Sequence, residues 1–162
     1  MCIRDSYKTI EYVNNFIVAT LNSKKSTRQD GISVMLINKD GEKLTKEYAM
    51  MRYMPYDLMI ANEEESDEGY IINAKGEVVN SNLYGEFTMT YSEGYDSFVT
   101  KKGSGWAVIS SEGKELIEFD DKVKVVTIYD KGLYYLEYKN GNVDLVNEIG
   151  ISIFEKYYGE WE

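Results

Sequence analysis

The chain has 162 residues, 43% apolar and 28% charged, which is enough for a soluble domain with a core of its own. A formal net charge of −10 opposes binding to phosphate backbones and anionic lipid surfaces, and no apolar run approaches the roughly 20 residues that cross a bilayer as a helix. Fifteen Tyr, five Phe and two Trp favour pleated, half-buried strands over helices, and thirteen Gly with the single Pro55 imply many tight turns.

Residues 1–6, Met1-Cys2-Ile3-Arg4-Asp5-Ser6, read as a translated sequencing-adapter end, so the native protein is expected to start near Tyr7 with its true N-terminus missing. Compartment stays open on that reading. Cys2 is the only cysteine and would be foreign, which leaves no disulfide framework. Phe16-Ile17-Val18-Ala19 is the first strand candidate, followed by a charged loop from Asn22 to Asp30. Val34-Met35-Leu36-Ile37 then runs into Asn38-Lys39-Asp40-Gly41, a strand entering a polar turn closed by glycine, with Leu44 beyond it. Lys46 to Met54 is the one stretch that admits a helical turn. Leu58-Met59-Ile60-Ala61 is another strand, and Asn62 to Glu68 an acidic loop. Its Glu63-Glu64-Glu65-Ser66-Asp67-Glu68 run lacks both the alternate spacing of ligands and the glycine of a calcium loop, so it reads as a solvated insertion.

The strand-and-turn pattern recurs at Gly69-Tyr70-Ile71-Ile72-Asn73-Ala74-Lys75-Gly76, with Val79 beyond it. Glu86 to Tyr91 and Phe98-Val99-Thr100 are strands, and Lys101-Lys102-Gly103-Ser104-Gly105 is the turn leading to Trp106-Ala107-Val108-Ile109-Ser110-Ser111-Glu112-Gly113, then Leu116. Val123 to Ile128 and Tyr134 to Tyr138 are strands joined through Lys139-Asn140-Gly141-Asn142 to Val143-Asp144-Leu145-Val146-Asn147-Glu148-Ile149-Gly150, then Ile153. Tyr157-Tyr158-Gly159-Glu160-Trp161 reads as the start of a fifth unit or as a terminal cap.

Four copies of one unit of about 36 residues are thus present. Their turn glycines, Gly41, Gly76, Gly113 and Gly150, lie 35, 37 and 37 residues apart. Each copy carries two apolar residues five and four places before its glycine and Asn or Ser three places before it. A type I turn closed by a left-handed glycine explains the pattern, with the Asn or Ser side chain fixing the bend. The expected fold is all-β: a single repeat domain over 7–162 of short antiparallel meanders, with hairpins near 34–44, 69–79, 106–116 and 143–153. Set radially the meanders give a β-propeller-like arc; stacked in line they give a β-solenoid. A closed propeller of six or seven such units needs roughly 220–250 residues, so a piece of a larger array is expected, and the propeller-like arc is preferred.

Trp106 to Ile117, with a basic-apolar strand after Gly113, resembles the signature of WG-repeat (KWG-type) proteins, and Asp130-Lys131-Gly132-Leu133-Tyr134 is similar to that family's approach to the strand. Ala107 stands where the family has glycine, and Val34, Gly69 and Val143 stand where it has tryptophan. The resemblance spans about residues 13–156. It implies a largely bacterial family of interaction scaffolds, without a defined activity.

The sequence holds no histidine, which removes His-based triads, imidazole acid–base catalysis and the usual Cys/His metal sites. No Walker loop or dinucleotide fingerprint is present, so no cofactor is expected. The favoured function is a non-enzymatic scaffold for a protein or surface-glycan ligand. The alternatives are a carboxylate-based, glycan-active hydrolase fragment, which needs two facing carboxylates in one cleft, and a structural module beside another domain. Trp106, Tyr134 and Tyr135 are candidate ligand contacts, within a wider aromatic set of Tyr91, Tyr95, Tyr138, Tyr157, Tyr158 and Trp161; cross-strand packing is the competing role for all of them.

Overall fold

The computed structural model describes residues 7–24, 26–85, 87–88 and 95–154. The readings of residues 1–6, of the strand over most of 86–91, and of Tyr91, Tyr157, Tyr158 and Trp161 fall outside them. The chain divides into two compact units, Met1–Leu83 and Tyr84–Glu162.

Every sheet is an antiparallel meander in which sequence neighbours pair. The first unit holds β1 (Thr9–Val13), β2 (Phe16–Asn22) and β3 (Ile32–Ile37) as its first sheet. Its second sheet is β4 (Met50–Met54), β5 (Leu58–Asn62), β6 (Gly69–Asn73) and β7 (Val78–Tyr84), the last running to the unit boundary. The second unit holds β8 (Phe87–Thr88), β9 (Ser97–Lys102), β10 (Gly105–Ser110) and β11 (Glu115–Phe119), then a sheet of β12 (Val123–Asp130), β13 (Leu133–Tyr138) and β14 (Val143–Asn147). The chain is therefore all-β, in four repeated meanders. Sheets one and four replace the outermost strand with single bridges, Ile37 to Lys43 and Val146 to Ser152.

One turn closes all four copies. Gly41, Gly76, Gly113 and Gly150 have φ of 82°, 81°, 85° and 77°, the left-handed region where glycine alone carries no Cβ penalty. Each glycine N–H donates to the carbonyl of the Asn or Ser three places before it, at 2.9–3.0 Å, and that Asn or Ser N–H donates to the carbonyl of the residue after the glycine. The same Asn or Ser side-chain oxygen accepts two further backbone N–H bonds at 2.8–3.3 Å in every copy. Ile149 does not disturb the fourth copy, because its N–H bonds to Asn147 while its side chain lies in solvent.

Alternation along the strands then assigns the faces. In the first unit, Leu36 and Val34, five and seven places before Gly41, pack with Phe16 against Ile72, Met59 and Ala61 of the second sheet. In the second unit Val108 and Trp106, at the same two places before Gly113, pack with Val99 against Val146, Tyr134 and Leu136. Ile72 and Val146 both lie four places before their own glycine. One rule thus governs both interfaces: the five-and-seven face of a repeat lies on the four face of the next. Tyr53 meets Phe16 edge-on, at 5.8 Å between centroids and 84°.

The segment Lys46 to Met54 is not helical. Tyr48 exchanges both backbone hydrogen bonds with Val34 at 2.8 Å, and β4 begins at Met50. A helix would leave that part of the β3 edge unpaired, and the sheet takes the backbone instead.

Candidate functional site

Two of the three aromatic candidates lie inside the second unit. Trp106 is 6% exposed in the core between sheets three and four. Its Nε1 donates to the Lys124 carbonyl at 3.2 Å, and Lys101 Nζ sits 3.8 Å from the indole centroid. Tyr134 is 2% exposed, with its hydroxyl 3.2 Å from Ser97 Oγ. Neither offers surface to a ligand; both join one sheet to the next. Tyr135 points to the opposite face, as an adjacent strand residue must, and is 36% exposed. Tyr95 and Tyr138 are half-buried against the same core.

The residues of the first unit that converge on solvent are different ones. A cleft of about 340 Å³ lies there, with the hydroxyls of Ser26, Thr27, Ser33 and Thr45 along it and Met35 and Ala49 as buried apolar lining. The segment between β3 and β4 builds much of it. Thr45 Oγ1 accepts the Leu36 N–H at 3.0 Å, tying that segment to the strand. Glu47 turns inward, where its Oε2 accepts hydroxyl bonds from Ser33 at 3.0 Å and from Ser23. Lys46 forms an ion pair with Glu63 and lies 5.4 Å from the Tyr48 ring centroid. The hydrogen bond to Glu63 raises the Lys46 ammonium above its ordinary value, against the pull of partial burial. Burial pushes the Tyr48 phenol up, with Lys46 opposing.

Glu47 and Glu63 are two carboxylates on one cleft, the feature a carboxylate hydrolase needs. One carboxylate receives two serine hydroxyls and the other holds a lysine. Sequence reading missed Glu47, Ser33 and Thr45. No local pattern marks them: Leu44, within the same segment, matches Val79, Leu116 and Ile153 of the other copies.

The acidic run is an ordered loop. Asn62, buried at its base, donates from Nδ2 to the carbonyls of Ser66 and Glu68 at 2.8 Å each, and Arg52 donates to the Asp67 carbonyl. The backbone turns inward and the side chains of Glu64, Glu65 and Asp67 stay in solvent. Among the described residues no three Asp, Glu, Cys or His groups are placed to hold a metal ion. No helix there is long and apolar enough to cross a membrane.

No family model matches the sequence, and no curated protein matches it. Among solved structures the chain is similar to the computationally designed Ika8 protein, with a TM-score of 0.42 at 10% identity over 89% of this chain and 46% of that one. It is similar also to Hsv2 of Kluyveromyces lactis, with a TM-score of 0.39 at 13% identity over 97% and 53%. A third is the WD40 β-propeller domain of Doa1, with a TM-score of 0.36 at 10% identity over 89% and 52%. The chain spans about half the length of these structures. Its class stands on its own strand pairing: an all-β chain of four repeated antiparallel meanders.

Proposed function

We propose that the chain is part of a non-enzymatic repeat scaffold of the WG-repeat type, and that it holds a protein or surface-glycan ligand. The observation that carries this reading is the shared turn network. In all four copies the Asn or Ser that could serve chemistry is bound instead to backbone N–H groups of its own turn. The cleft of the first unit supports a binding role, since it sets hydroxyls and both signs of charge beside apolar surface. Trp106 supports the family reading, because it joins one repeat to the next.

The test is direct. The chain is immobilised and presented with a glycan array and with a displayed peptide library. Saturable retention of one class is expected, reduced at least tenfold by Thr27→Arg or Lys43→Glu, which alter exposed residues on the cleft. Glycan cleavage with no retained ligand would overturn the scaffold reading in favour of a hydrolase.

A further inference from the structure

The face rule that sets both inter-sheet cores also identifies a surface it leaves open. Leu145 and Val143 lie five and seven places before Gly150, as Val108 and Trp106 do before Gly113. Strand pairing sets Tyr135 opposite Leu145 on that face, just as Val99 stands opposite Val108. The third sheet buries these positions, with Val108 and Val99 at 0% exposure and Trp106 at 6%. The fourth sheet exposes two of these positions, with Val143 at 53% and Tyr135 at 36%, and leaves Leu145 half-buried. Tyr129, on β12, adds a ring that is 67% exposed. Glu137, paired opposite Val143 and holding Lys124, is the charged residue on a face whose other members here are apolar or aromatic, at positions that are covered elsewhere in the same chain.

We propose that this face is the seat of a further meander of the same repeat, carried on the same polypeptide. Continuity with the two existing interfaces selects that occupant. In each of them the five-and-seven face is covered by a neighbouring sheet presenting an aliphatic residue four places before its glycine, Ile72 or Val146. A second copy of the chain docking head to tail does not meet the need. The matching face of its first sheet, Ala19, Met35 and Ile37, is already buried at 0%, 0% and 3% exposure.

The experiment extends the whole chain by a second copy of residues 121–154 fused after Glu162 and compares it with the unextended chain. The extended protein is expected to melt about 5 °C higher and to protect the added amides from hydrogen exchange. Val143→Lys should abolish that gain while leaving the unextended chain's melting point unchanged. An added copy that exchanges as unfolded chain would overturn the proposal, and so would equal effects of Val143→Lys in both proteins. A readout independent of the fusion is the fluorescence of the dye ANS on the unextended chain, expected to fall several-fold in Tyr135→Lys/Val143→Lys. An unchanged signal overturns the proposal. Sedimentation supplies a further check: a dimer of the unextended chain that Val143→Lys dissociates would make a second copy the occupant and overturn it.

Discussion

Two glycines with nearly the same backbone angle separate the cost of a left-handed residue from the cost of crowding. Gly76 has φ of 81° and Gly141 has 89°. A Cβ added at Gly141 meets nothing within 4 Å, whereas at Gly76 it would lie 2.7 Å from the Leu44 carbonyl oxygen and 2.8 Å from Thr45 Cγ2. For Gly141→Ala, left-handed strain of about 1–2 kcal/mol is offset by about 0.4–1 kcal/mol from the stiffer unfolded chain. A net loss of about 1 kcal/mol is expected. Gly76→Ala carries the same balance and must also displace the Leu44–Thr45 segment. That segment holds two hydrogen bonds, Leu44 N–H to the Leu36 carbonyl at 2.8 Å and Leu36 N–H to Thr45 Oγ1 at 3.0 Å. At about 1 kcal/mol for each bond, Gly76→Ala should cost about 3 kcal/mol. Urea unfolding measures both. Far-UV circular dichroism follows strands throughout, and tryptophan emission follows the second unit, which contains Trp106 and Trp161. Equal losses for the two variants, or a smaller loss at Gly76, would refute the crowding argument; a neutral Gly141→Ala would refute the strain term.

Gly113→Val puts a β-branched residue at φ 85° and should cost on the order of 1–3 kcal/mol, read as a lower urea midpoint; Ile149→Asp, in the solvent-facing part of the fourth turn, should be neutral or mildly stabilising. Asn147→Ala removes two side-chain hydrogen bonds and should cost about 1–2 kcal/mol, whereas Asn147→Ser should cost much less, because Ser110 closes the third turn with the same two bonds. Trp106→Ala should cost about 3–5 kcal/mol, and Trp106→Phe should cost less while losing the bond to the Lys124 carbonyl; equal melting points for Trp106→Ala and wild type would remove the indole from the core. Tyr48 has a folded-state value raised by burial above 10, so its contribution is complete below about pH 10 and is lost as pH rises through the folded value. Melting points between pH 8 and 12 should therefore fall less steeply in Tyr48→Phe than in wild type, and identical slopes would contradict that assignment.

The turns were legible because what they require is local. Five consecutive residues supply the left-handed glycine, the side-chain acceptor and both backbone bonds, so each copy announces its hairpin without reference to the rest of the chain. Strand β1 was not legible, since Thr9–Val13 is almost wholly exposed and its alternating Ile10 and Tyr12 face solvent instead of a core. The cleft was hidden for another reason. Ser33 and Glu47 meet across fourteen residues only because Tyr48 pairs with Val34 and draws the linking segment along β3. Tyr134 and Tyr135 are neighbours on one strand, so only one of them can face the neighbouring sheet, and it is Tyr134, at 2% exposure against 36%.

The contrast between the constant and the variable positions follows from what each must do. Three places before the glycine, the side chain must accept two N–H bonds within a fixed geometry, and only Asn or Ser is found there. Seven places before it, the residue meets whatever the adjoining strands supply, and the four copies carry Val34, Gly69, Trp106 and Val143. The environments differ to match. A Cβ at Gly69 would lie 2.6 Å from the Ala61 carbonyl oxygen and 2.8 Å from Ile60 Cγ2, so a tryptophan there would force the strands apart. Trp106 instead has a carbonyl to bond across the interface and a lysine over its ring. The tryptophan of the repeat is therefore one solution to a packing requirement that differs at each interface, whereas the glycine turn is the solution to a backbone requirement that is the same in all four. Divergence of the copies at the first position and constancy at the second is what that difference in requirement produces.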